Sequence, residues 1–112
     1  MIFYFDLDNV ICKTEGSDYS TSTPYNDVIK KVNTLYNEGN DILIFTARFM
    51  GRNKEDIELA KKEGFNFTCQ QLEKWGVRYT RLIFGKPVYD IYIDDKNFEF
   101  KSNWLDEFKK KF

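Results

Sequence analysis

Four short stretches of the chain carry groups that could do chemistry: Asp6 with Asp8, Thr46 with Arg48, Lys86, and the adjacent pair Asp94 and Asp95. Three or four carboxylates drawn together are costly unless a cation neutralises them, and carboxylate oxygens suit a hard ion such as Mg²⁺. With the Thr46 hydroxyl and the Lys86 ammonium beside that ion, the set would make a phosphate site. Each stretch alone has a plainer reading. Asp6 and Asp8 could be turn residues, Thr46 a β-branched strand end, Lys86 a solvated loop lysine and Asp94-Asp95 the start of a turn. The chain contains no histidine. That removes Ser-His-Asp and Cys-His machinery, histidine phosphotransfer and the common zinc sites, and leaves carboxylates, hydroxyls, Lys and Arg.

Positioning these groups requires elements that end at them. Ligands of open α/β sheets bind outside the carboxyl ends of the strands, and each stretch follows an apolar run. Ile2 to Phe5 reads as a strand buried on both faces and ending at Asp6, and Asp41 to Thr46 repeats the pattern. Leu82 to Phe84 runs into Gly85-Lys86-Pro87, and Val88 to Ile93 reads as a further strand ending in Asp94-Asp95. Thr23 as N-cap and Pro24 as first helical residue open a helix whose stripe of Tyr25, Val28, Ile29, Val32, Leu35 and Tyr36 stops at Gly39. Asn53 can cap a second helix ending at Gly64, and Thr68 with Gln71 forms a capping box for a third, short helix closed by Gly76. Ser102 can cap a last helix with Trp104, Leu105, Phe108 and Phe112 on one face. The order β-α-β-α-α-β-β-α predicts one α/β domain over residues 1–112, a three-layer sandwich with a mainly parallel sheet between helices. Val10 to Ser22 reads as a loop or small hairpin, too short for a cap domain.

Composition narrows the function classes. The chain has 112 residues, 42% of them hydrophobic and 31% charged, which is the balance of a folded domain rather than a low-complexity segment. Seventeen Lys and Arg against eighteen Asp and Glu leave a charge of -1, so no bulk basic field recruits nucleic acid or anionic lipid. No apolar run has membrane-spanning length and no secretory leader is recognisable. Cys12 and Cys69, two isolated cysteines, read as reduced thiols of a cytoplasmic protein.

Taken together, the motifs resemble those of the haloacid dehalogenase superfamily of phosphohydrolases. Its first motif, an apolar strand followed by Asp-x-Asp, is matched by Ile2-Phe3-Tyr4-Phe5-Asp6-Leu7-Asp8-Asn9-Val10-Ile11. Its second is matched by Ile42-Leu43-Ile44-Phe45-Thr46, its third by Lys86 and its fourth by Ile93-Asp94-Asp95. The stretches Thr46-Ala47-Arg48, Gln71 to Val77 and Gly85-Lys86-Pro87 look most similar to the small, capless phosphatases associated with capsule and surface-polysaccharide biosynthesis. Two departures stand out: Asn9-Val10 replaces the usual Gly-Thr, and a bulky Phe49 follows Thr-Ala-Arg.

The resemblance implies a Rossmannoid fold without a sizeable cap, and a Mg²⁺-dependent phosphate monoester hydrolase. Asp6 would be the nucleophile forming an aspartyl-phosphate, and Asp8 the acid that protonates the leaving oxygen and then the base that activates water. Thr46, Ala47 and Lys86 would hold the phosphoryl group. Asp6, Asp8 and Asp94 would bind the metal, with Asp95 as an outer partner or second ligand. Arg48 would contact substrate or form a structural salt bridge.

The expected substrate is a small phosphorylated sugar or polyol, with a nucleic-acid terminal phosphate second. An open site would suit a bulky phosphorylated molecule, a sugar-phosphate carried on something larger, or closure by a second subunit or a partner. The rival reading is a binding module that kept the fold and lost turnover. A phosphoacceptor signalling domain would place its acidic pair first and its acceptor aspartate on a middle strand, the reverse of the order here. Trp75, Trp104 and the aromatic excess read as core, Lys109 to Lys111 as a helix end suited to its dipole, and Cys12 as an inert thiol.

Overall fold

In the computed structural model, which describes residues 1–112, the elements run β1 (Ile2–Phe5), β2 (Cys12–Lys13), β3 (Thr23–Pro24), α1 (Asn26–Asn37), β4 (Asp41–Thr46), α2 (Ile57–Lys74), β5 (Arg81–Phe84) and α3 (Trp104–Lys111). Two single turns of 3₁₀ helix lie at Tyr19–Thr21 and Gly51–Asn53. The parallel sheet has the order β1-β4-β5, and β2 pairs with β3 in a small antiparallel sheet. This is the expected α/β class with a mainly parallel sheet, but the expected third layer is not seen: all three helices join one apolar cluster on one face of the sheet.

Register decides where the core lies. Phe3 pairs with Ile42, Phe5 with Ile44, Ile44 with Leu82 and Thr46 with Phe84. Side chains alternate along each strand, so Phe3, Phe5, Ile42, Ile44, Leu82 and Phe84 share one face. Both crossovers step the same way across the sheet, and right-handed connections therefore put α1 and α2 on one side. The apolar cluster joins that face to Val28, Ile29, Val32 and Leu35 of α1, Ala60 and Leu72 of α2, and Phe108 of α3. Phe108 meets Phe3, Phe5, Phe98 and Phe112 ring to ring, so much of the aromatic excess fills the core. β1 is not buried on both faces as its apolar run suggested: as an edge strand whose other face no helix covers, it leaves Ile2 and Tyr4 exposed, with Tyr4 edge-on to Phe45. Both cysteines are free, and no helix is long and apolar enough to cross a membrane.

Several boundaries differ from expectation, each for a physical reason. Thr23 and Pro24 do not open α1. They pair with Lys13 and Cys12, and α1 begins after Tyr25 without a side-chain cap. The two helices expected around Gly64 are one continuous helix, α2, capped by the Asp56 carboxylate accepting from the Leu59 N–H. Gly64 is not a stop. It lies within the helix because a Cβ there would come within 2.0 Å of the Phe49 ring. Ser102 does not cap α3, which starts after Asn103 with no side-chain cap bond.

The strand expected over Val88 to Ile93 is absent. Gly85 turns the chain at φ 101°, Pro87 has no N–H to give, and the Val88 N–H is donated to Glu55 Oε1 at 3.0 Å. From Pro87 to Asn103 every residue is exposed.

Candidate active site

Asp6 follows β1 directly, where the chain leaves the sheet. Its carboxylate accepts from the Leu7 N–H at 2.8 Å, and Oδ2 faces Lys86 Nζ at 3.3 Å. Lys86 reaches this position because its own N–H continues the strand ladder, donating to the Thr46 carbonyl at 3.1 Å. The parallel order β1-β4-β5 thus brings residues from both edge strands to one end of the sheet. Burial lifts the Asp6 carboxyl above the usual carboxylate range, and Lys86 and the Leu7 N–H pull it only part of the way back. For Lys86, burial works against the ammonium but Tyr89 and Asp6 outweigh it, so its pKa is raised.

Asp8 sits two residues on, in a tight turn where the Leu7 carbonyl accepts from the N–H groups of Val10, Ile11 and Cys12. Asn9 takes the left-handed conformation there, φ 66°. Asparagine tolerates that region, which explains how it stands where the resemblance leads one to expect glycine. Arg48, wholly buried, forks onto Asp8: Nε lies 3.1 Å from Oδ1 and 3.0 Å from Oδ2, and Nη2 lies 2.9 Å from Oδ1. Thr14 donates its hydroxyl to the same Oδ1 at 2.6 Å, and the Cys12 thiol approaches it at 3.6 Å. Burial raises the Cys12 thiol pKa, which keeps it inert.

Behind Arg48 stands a polar network that sequence reading missed. Arg48 Nη1 donates to Gln71 Oε1 at 2.6 Å and reaches Thr68 Oγ1 at 3.5 Å, while Nη2 reaches Ser22 Oγ at 3.5 Å. Its guanidinium lies 4.8 Å from the Tyr19 ring centroid, and Gln71 Nε2 donates to the Tyr19 carbonyl at 2.8 Å. Thr68 and Gln71 are therefore not a capping box but the supports of a buried arginine. Their signal was the four-residue stripe Ala60, Gly64, Thr68, Leu72, which marks the inner face of one helix. Of the two readings open for Arg48, the structure takes the salt bridge.

An open cavity of about 460 Å³ lies over this arrangement, lined by Asp6, Asp8, Ala47, Arg48, Tyr19, Phe49 and Arg52 among others. Thr46, expected to hold the phosphoryl group, is buried and does not line the cavity; its hydroxyl accepts from the Arg48 N–H at 3.1 Å. Asp94 and Asp95 do not join. Both are exposed in the segment after Pro87, and Asp94 Oδ1 accepts from the Lys96 N–H at 2.9 Å, closing a local turn. No group of three or more acidic or cysteine side chains converges anywhere in the chain. The oxygen donors suit Mg²⁺, but the expected four-carboxylate set is not assembled. The residues as placed do not fit that site.

No family model matches the chain, and no curated protein matches it. Among solved structures it is similar to a structural-genomics target from Vibrio cholerae, with 25% identity, a TM-score of 0.80 and 98% of each chain covered. That likeness spans the whole fold and brings no activity with it.

Proposed function

We propose that the chain is a phosphate monoester hydrolase that works through an aspartyl-phosphate on Asp6, acting on a phosphorylated sugar or polyol. One observation carries this reading: Asp6 and Lys86, from opposite edge strands, meet at 3.3 Å at the carboxyl end of a parallel sheet, with Asp8 and Asp6 lining one cavity. Membership of the haloacid dehalogenase superfamily, without a sizeable cap, belongs to the same proposal. Its supports are the parallel strand order and the motifs in their sequence order.

In this mechanism an Asp6 oxygen attacks phosphorus as the bond to the leaving oxygen breaks. The Lys86 ammonium turns from the carboxylate to the phosphoryl oxygens, where negative charge gathers. Asp8 supplies the proton for the leaving oxygen. Its Oδ1 is occupied by Thr14, Cys12 and Arg48, whereas Oδ2 accepts only from Arg48 Nε, so Oδ2 has capacity to carry that proton. Asp8 then takes a proton from the water that opens the acyl phosphate.

Replacing Asp6 by Asn should abolish both ester cleavage and protein phosphorylation. Replacing Asp8 by Asn should spare attack on p-nitrophenyl phosphate, whose leaving group needs little protonation, while slowing its alkyl counterparts far more. The acyl phosphate then lacks its base and should accumulate, giving a burst approaching one equivalent of phenolate with the label on Asp6. Equal losses on aryl and alkyl esters with no trapped phosphoprotein would refute the assignment. Binding of beryllium fluoride with no turnover of any ester would favour the binding module.

A further inference from the structure

The loop after Arg48 holds an unusual amount of backbone strain. Phe49, Lys54 and Glu55 are all left-handed without being glycine, with φ values of 66°, 54° and 64°. Bulky residues rarely adopt this region, and such outliers persist only where their surroundings over-determine them. Here they do. The Phe49 N–H donates to the Tyr19 hydroxyl at 3.4 Å, its carbonyl accepts from Asn53 Nδ2 at 2.8 Å, and its ring lies where the Cβ missing from Gly64 would be.

What this packing presents is Arg52. Its guanidinium carbon stands 4.8 Å from the Phe49 ring centroid and 5.6 Å from that of Tyr19, on the wall of the cavity that also contains Asp6 and Asp8. Nη2 donates to the Ser17 carbonyl at 2.9 Å and Nη1 to Glu63 Oε2 at 3.0 Å. These bonds account for two of its five N–H groups, and the side chain remains 42% exposed. The partner Glu63 is itself 40% exposed, and an exposed ion pair of this kind is weak enough for another anion to compete. A guanidinium laid on aromatic faces is preorganised for planar, two-pronged recognition of carboxylate or phosphate.

We infer that Arg52 is a specificity residue, and that the preferred substrate is a phosphate monoester carrying a second anionic group, a carboxylate or a further phosphate, on its leaving group. This rests on the phosphatase reading, with the reacting phosphoryl group at Asp6 and the second anion at Arg52. Tyr19 and Phe49 line the same cavity as both. The bulky Phe49 after Thr-Ala-Arg thereby acquires a role: it is the platform for Arg52.

The test is a series of ω-carboxyalkyl, ω-hydroxyalkyl and α,ω-bisphosphate esters of two to six carbons, assayed with the wild-type chain, Arg52→Gln and Arg52→Lys. At the length that spans the cavity, kcat/KM for an anionic member should exceed that of its hydroxyl counterpart at least tenfold, chiefly through KM. The carboxylate and bisphosphate arms decide which anion is meant. The preference should fall to near one in Arg52→Gln, return in part in Arg52→Lys, and shrink as salt is raised. No preference at any length, or a preference that survives Arg52→Gln, overturns the inference. So does an equal loss on charged and neutral esters, which would make Arg52 a clasp between Ser17 and α2. If the wild type cleaves no ester, the phosphatase reading fails separately. Calorimetric titration with the same series then decides Arg52: anion-selective binding lost in Arg52→Gln supports the specificity role, and equal binding overturns it.

Discussion

Arg48 grips Asp8 through three N–H···O contacts of 2.9 to 3.1 Å, with its guanidinium sealed from solvent and braced by Gln71 and Tyr19. A carboxylate that must give up a proton and later take one needs a fixed direction more than a fixed charge. The fork supplies that direction and leaves Oδ2 the less committed oxygen. Removing one partner of such a pair strands the other with its charge uncompensated.

Arg48→Gln should therefore destabilise the fold by about 3 kcal/mol, seen as a fall in Tm of roughly 10 °C. Arg48→Lys should recover little of it, since an ammonium cannot reproduce the two-pronged contact. In a double-mutant cycle, Asp8→Asn should cost much less in the Arg48→Gln background than in the wild type. Additive losses in denaturant melts would show that the two side chains are not coupled.

The raised pKa of Asp6 has a sign that can be checked. Burial disfavours its anion, so its folded pKa lies above its unfolded value, and this group's contribution to stability grows as pH falls through the folded pKa. An attacking oxygen must be ionised, so the acid limb of the pH–rate profile should lie above the ordinary aspartate value of about 3.9. Lys86 pulls the Asp6 pKa down. Lys86→Met should then move the Asp6 carboxyl resonance to titrate at still higher pH, followed by carbon NMR. A shift to lower pH would contradict the pairing.

Magnesium can be tested apart from the protein chemistry. The resemblance implies that chelation abolishes hydrolysis and that added Mg²⁺ restores it better than Zn²⁺ does. Asp94→Asn is the discriminating variant. An unchanged Mg²⁺ half-saturation is the result this arrangement predicts, with Asp94 exposed and occupied in its own turn. A tenfold weakening would show that the segment after Pro87 docks beside Asp6 when the ion binds.

Gly64→Ala tests the packing beneath the cavity. Helix propensity alone would favour alanine by up to about 1 kcal/mol. Its methyl would instead stand 2.0 Å from the Phe49 ring, and overpacking of this kind typically costs about 1–3 kcal/mol. The variant should be less stable than the wild type, and Phe49→Ala in the same chain should remove the penalty. A Gly64→Ala protein more stable than the wild type would mean that Phe49 does not rest on α2.

The sequence by itself determined the strands that bear the site. The apolar runs before Asp6, Thr46 and Lys86 are each bounded by a polar residue or a turn, and such local patterns leave little choice of element. It also determined which face of α1 is buried, since Val28, Ile29, Val32 and Leu35 lie on one stripe. Local pattern misled wherever a residue's job lay across the molecule. Gly64 and the Thr68-Gln71 pair look like helix punctuation but answer to Phe49 and Arg48, partners distant in sequence that chain-local rules cannot see. Val88 to Ile93 has a strand's composition, yet the turn at Gly85, the missing donor of Pro87 and the Val88–Glu55 bond leave it unpaired, and Asp94 and Asp95 stay out with it. Tertiary structure alone settled that Arg48 serves Asp8 and that Arg52 stands on Tyr19 and Phe49, because a long cationic side chain takes its role from whichever buried anion or ring the fold brings within reach.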